Sequence, residues 1–379
     1  MIPIRYNLRS IVVRRVGTAM TILGVALTVA VFVSILAMVQ GLQNTFVETG
    51  HSLNLILIRK GSLSEVNSFF DRELKGLVET MKGVEGVSGE LIVLVNIPRN
   101  TGESSNMMVR GVSEKSLSLR PQLSIAEGRM FKPGLREIVV SRSIANRFKD
   151  AGLGDKIKIG RATWNVVGIL DAAQTAYDSE AWADSNEIAQ EFERPIYNSL
   201  LVRAQDEGSI DAIKTRVADD RRVNLDVFGE KEYFASQTNA ALPIQILGYL
   251  IGIIMAVGSC FSVMNTMYAA TAYRTREIAT LRVLGYKRGN ILLSFMFESI
   301  VLSICGGILG CLLALPVNGI STGTVNFNNF AEVVFRFRIT GILMIEGVAF
   351  AVVMGAIGGL MPARHASRIP IVRALRTEV

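Results

Sequence analysis

The sequence predicts an α-helical membrane protein with four transmembrane helices in a one-plus-three arrangement and a mixed α/β extracytoplasmic domain inserted between the first and the second. Three observations predict it. Apolar stretches at residues 16–39, 244–272, 291–317 and 339–361 are each long enough, at about 1.5 Å rise per residue, to cross a hydrocarbon core of about 30 Å. Half of the 379 residues are hydrophobic and only 19% are charged, below the roughly 25% usual in soluble domains. A polar block, residues 41–240, separates the first apolar stretch from the other three.

Taken in order, residues 1–15 place Ile4, Leu8, Ile11 and Val12 on one helical face and Arg5, Asn7, Arg9 and Arg14 on others. That is the pattern of an amphipathic helix lying at the cytoplasmic interface, or of an extension of the first span that supplies topogenic charge. The first span (16–40) follows a basic segment, as a signal peptide would, but its apolar run exceeds the roughly 7 to 15 residues of a cleavable core and is expected to stay as an anchor. The second span is placed at 241–272, a loop at 273–290, the third span at 291–317, a short outer loop at 318–338 and the fourth span at 339–361, followed by a tail at 362–379.

Charge assigns the sides. Arg5, Arg9, Arg14 and Arg15 precede the first span. Arg274, Arg276, Arg282, Lys287 and Arg288 face a single acid, Glu277, in the loop after the second. The tail carries Arg364, Arg368, Arg373 and Arg376 against Glu378. With four spans these three segments share one side, and the positive-inside rule makes it cytoplasmic, with both termini there. Residues 41–240 hold 25 Lys and Arg against 28 Asp and Glu, so the basic excess belongs to the membrane flanks and not to a nucleic-acid-binding face.

Within the domain, residues 53–58 and 91–97 read as strands, with a helix at 69–81 between them. Residues 137–140, 156–159 and 164–170 are further strands, with a helix at 143–149 and a turn at 160–162; 197–202 and 210–217 follow as strand and helix. The acidic stretch 171–193 is expected to be a surface excursion, and Glu191 and Glu193 a solvated face. Cys260, Cys305 and Cys311 all fall in predicted spans, so the domain has no disulfide to rely on.

Chemistry is constrained by what is missing. The chain contains no Gly-Lys dipeptide, which the Walker A phosphate loop requires, so ATP hydrolysis is expected in a partner and no cofactor is expected on this chain. Its two histidines, His51 and His365, fall on opposite predicted sides, against His-rich zinc sites and a Ser-His-Asp constellation.

The loop after the second span carries the clearest functional signal. Ile278, Leu281 and Leu284 are interleaved with Arg274, Arg276, Glu277 and Arg282, and Gly285 is placed to end a helix; a short amphipathic helix of this kind suits insertion into a groove on a soluble partner. Gly248 and Gly252, Gly306 and Gly310, and Gly355 and Gly359 form small-residue ridges suited to close packing in a moving, self-associating bundle. Glu298 and Glu346 are intramembrane carboxylates, suited either to a proton relay or to snorkelling or pairing with flanking arginines, the second being the reading adopted.

Several runs together resemble the FtsX-like permease family: Met-Asn-Thr-Met-Tyr at 264–268, Arg-Glu-Ile at 276–278, Leu-Arg-Val-Leu-Gly at 281–285, Phe-Glu-Ser at 297–299, Gly-Gly-Ile-Leu-Gly at 306–310 and the Pro-Ala-Arg-His tail from 362 to 376. Residues 138–147, 154–160 and 164–170 resemble the MacB-type periplasmic core. The resemblance implies the transmembrane subunit of a type VII ABC transporter in a bacterial inner membrane. It would form a dimer with a second permease copy and pair with a separate ATPase that binds ATP and Mg. It also implies that residues 273–284 form the coupling helix and that transport proceeds by mechanotransmission, for efflux or extraction of periplasmic or membrane substrate. A periplasmic adaptor and an outer-membrane channel are further candidate partners. An FtsX-like signalling scaffold that activates a cell-wall hydrolase is the alternative. Ala279 stands where many members have Gly after Arg-Glu-Ile; Ala favours helix by about 1 kcal/mol over Gly, so coupling is expected to be retained.

Overall fold

The computed structural model describes residues 15–370 apart from 173, 221 and 326–330. The amphipathic helix expected at residues 1–15 and the end of the tail therefore lie, all but Arg15 and residues 362–370, outside the described residues. The chain divides into two compact units, one of Met1–Gln40, Pro243–Ile320 and Phe337–Val379, the other of Gly41–Leu242 and Ser321–Arg336.

The first unit is helical. Helices Arg15–Val47, Glu230–Tyr273, Arg288–Val317 and Gly341–Arg368 are long and apolar enough to cross a membrane, with mean hydropathies of 2.8, 2.2, 2.5 and 2.0. They carry spans one to four, numbered in chain order below; the start of the second helical segment, 230–242, belongs to the second unit and leads into span two. The last continues through Pro362 to Arg368, past the expected end at 361. Val25, Val29 and Val33 recur every four residues on span one and pack into a core with Val263 and Met267, Phe295 and Leu302, and Ala351 and Met354 from the other three.

All three glycine ridges are used inside this bundle. A Cβ on Gly306 or Gly310 would strike Val25 or the Ala26 carbonyl of span one, and Gly248 and Gly252 face Ile35 and Phe32 of the same helix. Gly355 and Gly359 lie against Ser303 and Ser299 of span three, and Ser299 Oγ donates to the Gly355 carbonyl. The ridges let neighbouring helices of one chain approach closely, which leaves other faces for self-association.

The second unit is α/β. Its strands are β1 Asn54–Arg59, β2 Phe70–Asp71, β3 Val84–Pro98, β4 Ser104–Val112, β5 Ser124–Gly128, β6 Glu137–Ser141, β7 Lys156–Ile159, β8 Ala162–Asp171, β9 Glu180–Asp184, β10 Ile196–Tyr197, β11 Ser199–Ala204, β12 Leu225–Gly229, β13 Ser321–Val325 and β14 Glu332–Arg336. Ten form one sheet in the order β12-β1-β11-β3-β4-β9-β6-β8-β5, with β7 against β8. The 15-residue β3 joins its halves: residues 84–90 pair with β11 and residues 91–98 with β4. Each half has its own core. Leu55, Val87, Leu200 and Ile213 belong to one; Leu91, Val109, Ile138, Trp164 and Ala181 belong to the other.

Three expectations are corrected. The stretch 171–193 is no excursion: β9 within it is buried at all five positions and pairs with β4 and β6 in mid-sheet. Its acids misled because Glu180 is neutralised internally by Arg110, which acidic composition does not reveal. The outer loop 318–338 is more than a connector, because Ser321–Val325 and Glu332–Arg336 form a β-hairpin belonging to the second unit. The helix expected at 69–81 is shorter, Leu74–Glu79, preceded by β2.

Candidate functional site

The loop after span two folds into a nine-residue helix, Thr275–Val283. Gly285 ends it with φ of 93°; Gly285 N–H donates to the Arg282 carbonyl at 3.2 Å and Tyr286 N–H to Leu281 at 3.1 Å, the paired bonds of a Schellman motif that few residues other than glycine can close.

Ile278, Leu281 and Leu284 do not share one exposed face. Ile278 is in the bundle core with Leu281 packed against it, whereas Leu284 is 70% exposed. Steps of three residues drift around a 3.6-residue helix, so the first and last of the three point apart. The surface left open includes Tyr273, Arg276, Glu277, Thr280, Val283 and Leu284. Arg282 is half-buried.

Arg274 sits at the joint between span two and this helix and is buried. Its Nε donates to Glu277 at 3.1 Å and its Nη1 to Glu298 of span three at 3.0 Å, and its guanidinium lies 5.2 Å from the Phe295 ring centroid. Glu298 is thus paired with a flanking arginine, and the loop helix is fastened to span three. Glu346 is exposed on span four, apart from this cluster.

The α/β domain holds a second constellation that sequence reasoning missed. Where β3 changes partners, Glu90, Arg110, Arg120, Glu65, Glu180 and Glu230 meet as buried side chains. Register builds it: Arg110 stands opposite Ile92 on one side and Trp182 on the other, and Ser199 stands opposite Glu90. Arg110 donates to Glu180, Glu90 and Glu65 at 2.7 to 3.1 Å, and Arg120 to Glu90 at 2.7 and 3.0 Å. Burial alone would raise the Glu90 carboxyl; Arg120 and Arg110 outweigh it and hold it below the usual glutamate range. Burial equally opposes charge on both guanidiniums, but the surrounding carboxylates raise them well above their ordinary value.

Glu230 is the mechanical member of this network. It opens the helical segment that leads into span two, and it accepts from His51 N–H at 2.7 Å and Asn54 Nδ2 at 2.9 Å, just past the end of span one. Its other oxygen takes the Tyr177 hydroxyl at 2.6 Å; burial pushes that phenol well above its usual pKa, so it remains a donor. Gly50, with φ of 99°, lets the chain pass the Glu230 side chain, where a Cβ would lie 3.0 Å away. One carboxylate therefore gathers the chain leaving span one and the chain approaching span two. No signal in a single sequence distinguishes it from a solvated acid.

Fold and site define a class: a multi-pass membrane protein that carries an α/β domain between its first two spans. The MacB-like periplasmic core domain family matches residues 18–220, more than half of the chain, and the FtsX-like permease C-terminal family matches residues 249–371. The chain belongs to the FtsX-like permeases with a MacB-like periplasmic core, and so to the ABC transporter permeases.

It is 25% identical to the uncharacterized ABC transporter permease YknZ of Bacillus subtilis, over 99% of this chain and 98% of that one. It is 24% identical to the macrolide export ATP-binding/permease protein MacB of Hahella chejuensis, and 26% identical to the pyoverdine export ATP-binding/permease protein PvdT of Pseudomonas entomophila, spanning 58% of each and 96% and 97% of this chain. Among solved structures, the extracellular domain of a YknZ transporter from Gram-positive bacteria aligns over 46% of this chain and 99% of that one, at 18% identity and a TM-score of 0.38. The periplasmic region of MacB from Actinobacillus actinomycetemcomitans aligns over 47% and 89%, at 8% identity and a TM-score of 0.39.

Proposed function

We propose that this permease works by mechanotransmission. A separate ABC ATPase seats on the loop helix Thr275–Val283, its ATP-driven closure moves the spans, and the α/β domain is displaced to drive export of a substrate outside the membrane core. The observation that carries this reading is the loop helix itself. It is fastened to span three by the buried Arg274–Glu298 pair and offers Tyr273, Glu277, Val283 and Leu284 outward. An anchored helix with exposed apolar residues and a carboxylate suits a groove on a soluble partner, and the buried pair passes a push on the helix to span three. Glu230 supports the far end of the pathway, since a shift of either of the first two spans pulls on the same buried carboxylate.

The reading places the loop and both termini in the cytoplasm, the domain outside the inner membrane, and a second permease copy beside the first. The relatives named for macrolide and pyoverdine export make a bulky exported metabolite the substrate class to test first.

The experiment uses the full chain in lipid nanodiscs with a candidate ABC ATPase partner. Val283→Asp with Leu284→Asp, both at exposed positions, is expected to weaken ATPase association at least about thirtyfold, the scale of an interface hot spot, and to abolish permease-stimulated turnover while the bundle stays folded. Full assembly and undiminished stimulated turnover in that variant would overturn the assignment.

A further inference from the structure

The hairpin between spans three and four is bound to the α/β domain in an unusual way. Among the described residues β13 and β14 pair only with each other, so the hairpin does not extend the ten-stranded sheet. Side chains hold it instead. Glu332, 3% exposed, accepts from Arg99 at 2.5 Å and from Ser105 Oγ at 2.5 Å, and it also pairs with Arg147. The Val334 N–H donates to Ser179 Oγ at 2.7 Å, and Ala331 packs with Ile92 and Met108.

The socket is formed by the fold. Arg99 bridges to Phe148, and the Asn100 N–H donates to the Arg147 carbonyl at 3.0 Å, so the two guanidiniums are set side by side with Glu332 between them. Burial and the neighbouring Arg99 charge act against charge on Arg147, with Glu332 opposing them. Gly323 completes the seat, because a side chain there would run into Glu332 and Arg147.

We propose that this hairpin is a releasable latch: Glu332 seated between Arg99, Arg147 and Ser105 holds the segment joining spans three and four on the domain, and the hairpin lets go as a unit without opening the sheet. Among the described residues no ladder bond to the sheet has to break, and Arg99 and Arg147 are already 24% and 22% exposed, so both rehydrate readily on release. Removing Glu332 leaves two half-buried, adjacent guanidiniums uncompensated, which favours the open state.

The test is thiol labelling of the full chain in nanodiscs, without ATPase, with Cys260, Cys305 and Cys311 replaced by alanine and one reporter introduced at a time. With Ala331→Cys the docked hairpin should label slowly but measurably, far below the rate of Leu63→Cys, which stands at an 87% exposed position. Glu332→Gln should speed labelling at 331 at least about tenfold, and Gly323→Ala should do so without touching a charge. Arg99→Gln with Arg147→Gln should match Glu332→Gln and add little to it. A reporter at the buried Val109 (Val109→Cys) should stay protected throughout.

Three results would overturn the latch: equal labelling at 331 and 63 in the parent, no acceleration by Glu332→Gln, or loss of protection at 109 in step with 331. Because the readout needs no partner, its failure leaves the ATPase assignment standing, and the reverse holds.

Discussion

Glu90 is wholly buried between Arg110 and Arg120, whose guanidiniums both favour its charge. Replacing a charge in such a network strands its partners, at a cost of about 3 to 5 kcal/mol. Glu90→Gln is therefore expected to lower the thermal midpoint of the full chain in detergent at neutral pH by several degrees. The folded carboxyl titrates below its unfolded value, which for glutamate is about 4.3. Its stabilisation is thus complete above that pH and is lost as pH falls through the folded value. The gap between parent and variant should close on acidification; a gap constant with pH would show that charge at Glu90 is not what stabilises. None of this was legible in the sequence, where Glu65, Glu90, Glu180 and Glu230 look like any surface acids, because nothing local marks a carboxylate whose guanidinium arrives from another strand.

At the scale of elements, the four apolar stretches and the glycine that ends the loop helix were legible, whereas the helices that carry the first, second and fourth run well past the apolar residues, to Val47, from Glu230 and to Arg368. Apolar length and a glycine stop are local signals. The faces were not legible. Ile278 and Leu281 looked like partner contacts and pack inward, whereas Val283 and Leu284 stay exposed. The glycine ridges suggested self-association and are used within one bundle. Gly310 shows how tightly: a Cβ there would sit 2.5 Å from the Ala26 carbonyl oxygen and 2.7 Å from Val29 Cβ, whereas Gly258 has open space. Gly310→Ala is expected to destabilise the bundle by about 1 to 3 kcal/mol and Gly258→Ala to leave it unchanged, read as thermal midpoints in detergent. Equal effects would mean that spans one and three do not pack through this ridge.

For the whole molecule, the proposed dimer must use faces that the bundle leaves free. On span one these are Val16, Met20, Leu23, Leu27 and Val31, spaced three or four apart along one exposed stripe. Single cysteines along that stripe, in a chain lacking its native cysteines, should crosslink between copies in membranes with a three-to-four-residue period. No crosslink in any register would count against a dimer built on span one.

The sequence by itself determined the number of spans, their distribution around the interposed domain and the family, because apolar length, flanking charge and ordered motifs are written along the chain. Tertiary structure alone decided which acids are buried, which side of the loop helix faces outward, that residues 171–193 enter mid-sheet, and that the loop between spans three and four is a hairpin seated on Glu332. Each of these depends on a partner far away in sequence: Arg110 for Glu180, Glu298 for Arg274, Arg99 and Arg147 for Glu332. A buried charge is stabilised by what folding brings to it, and that pairing has no local signature.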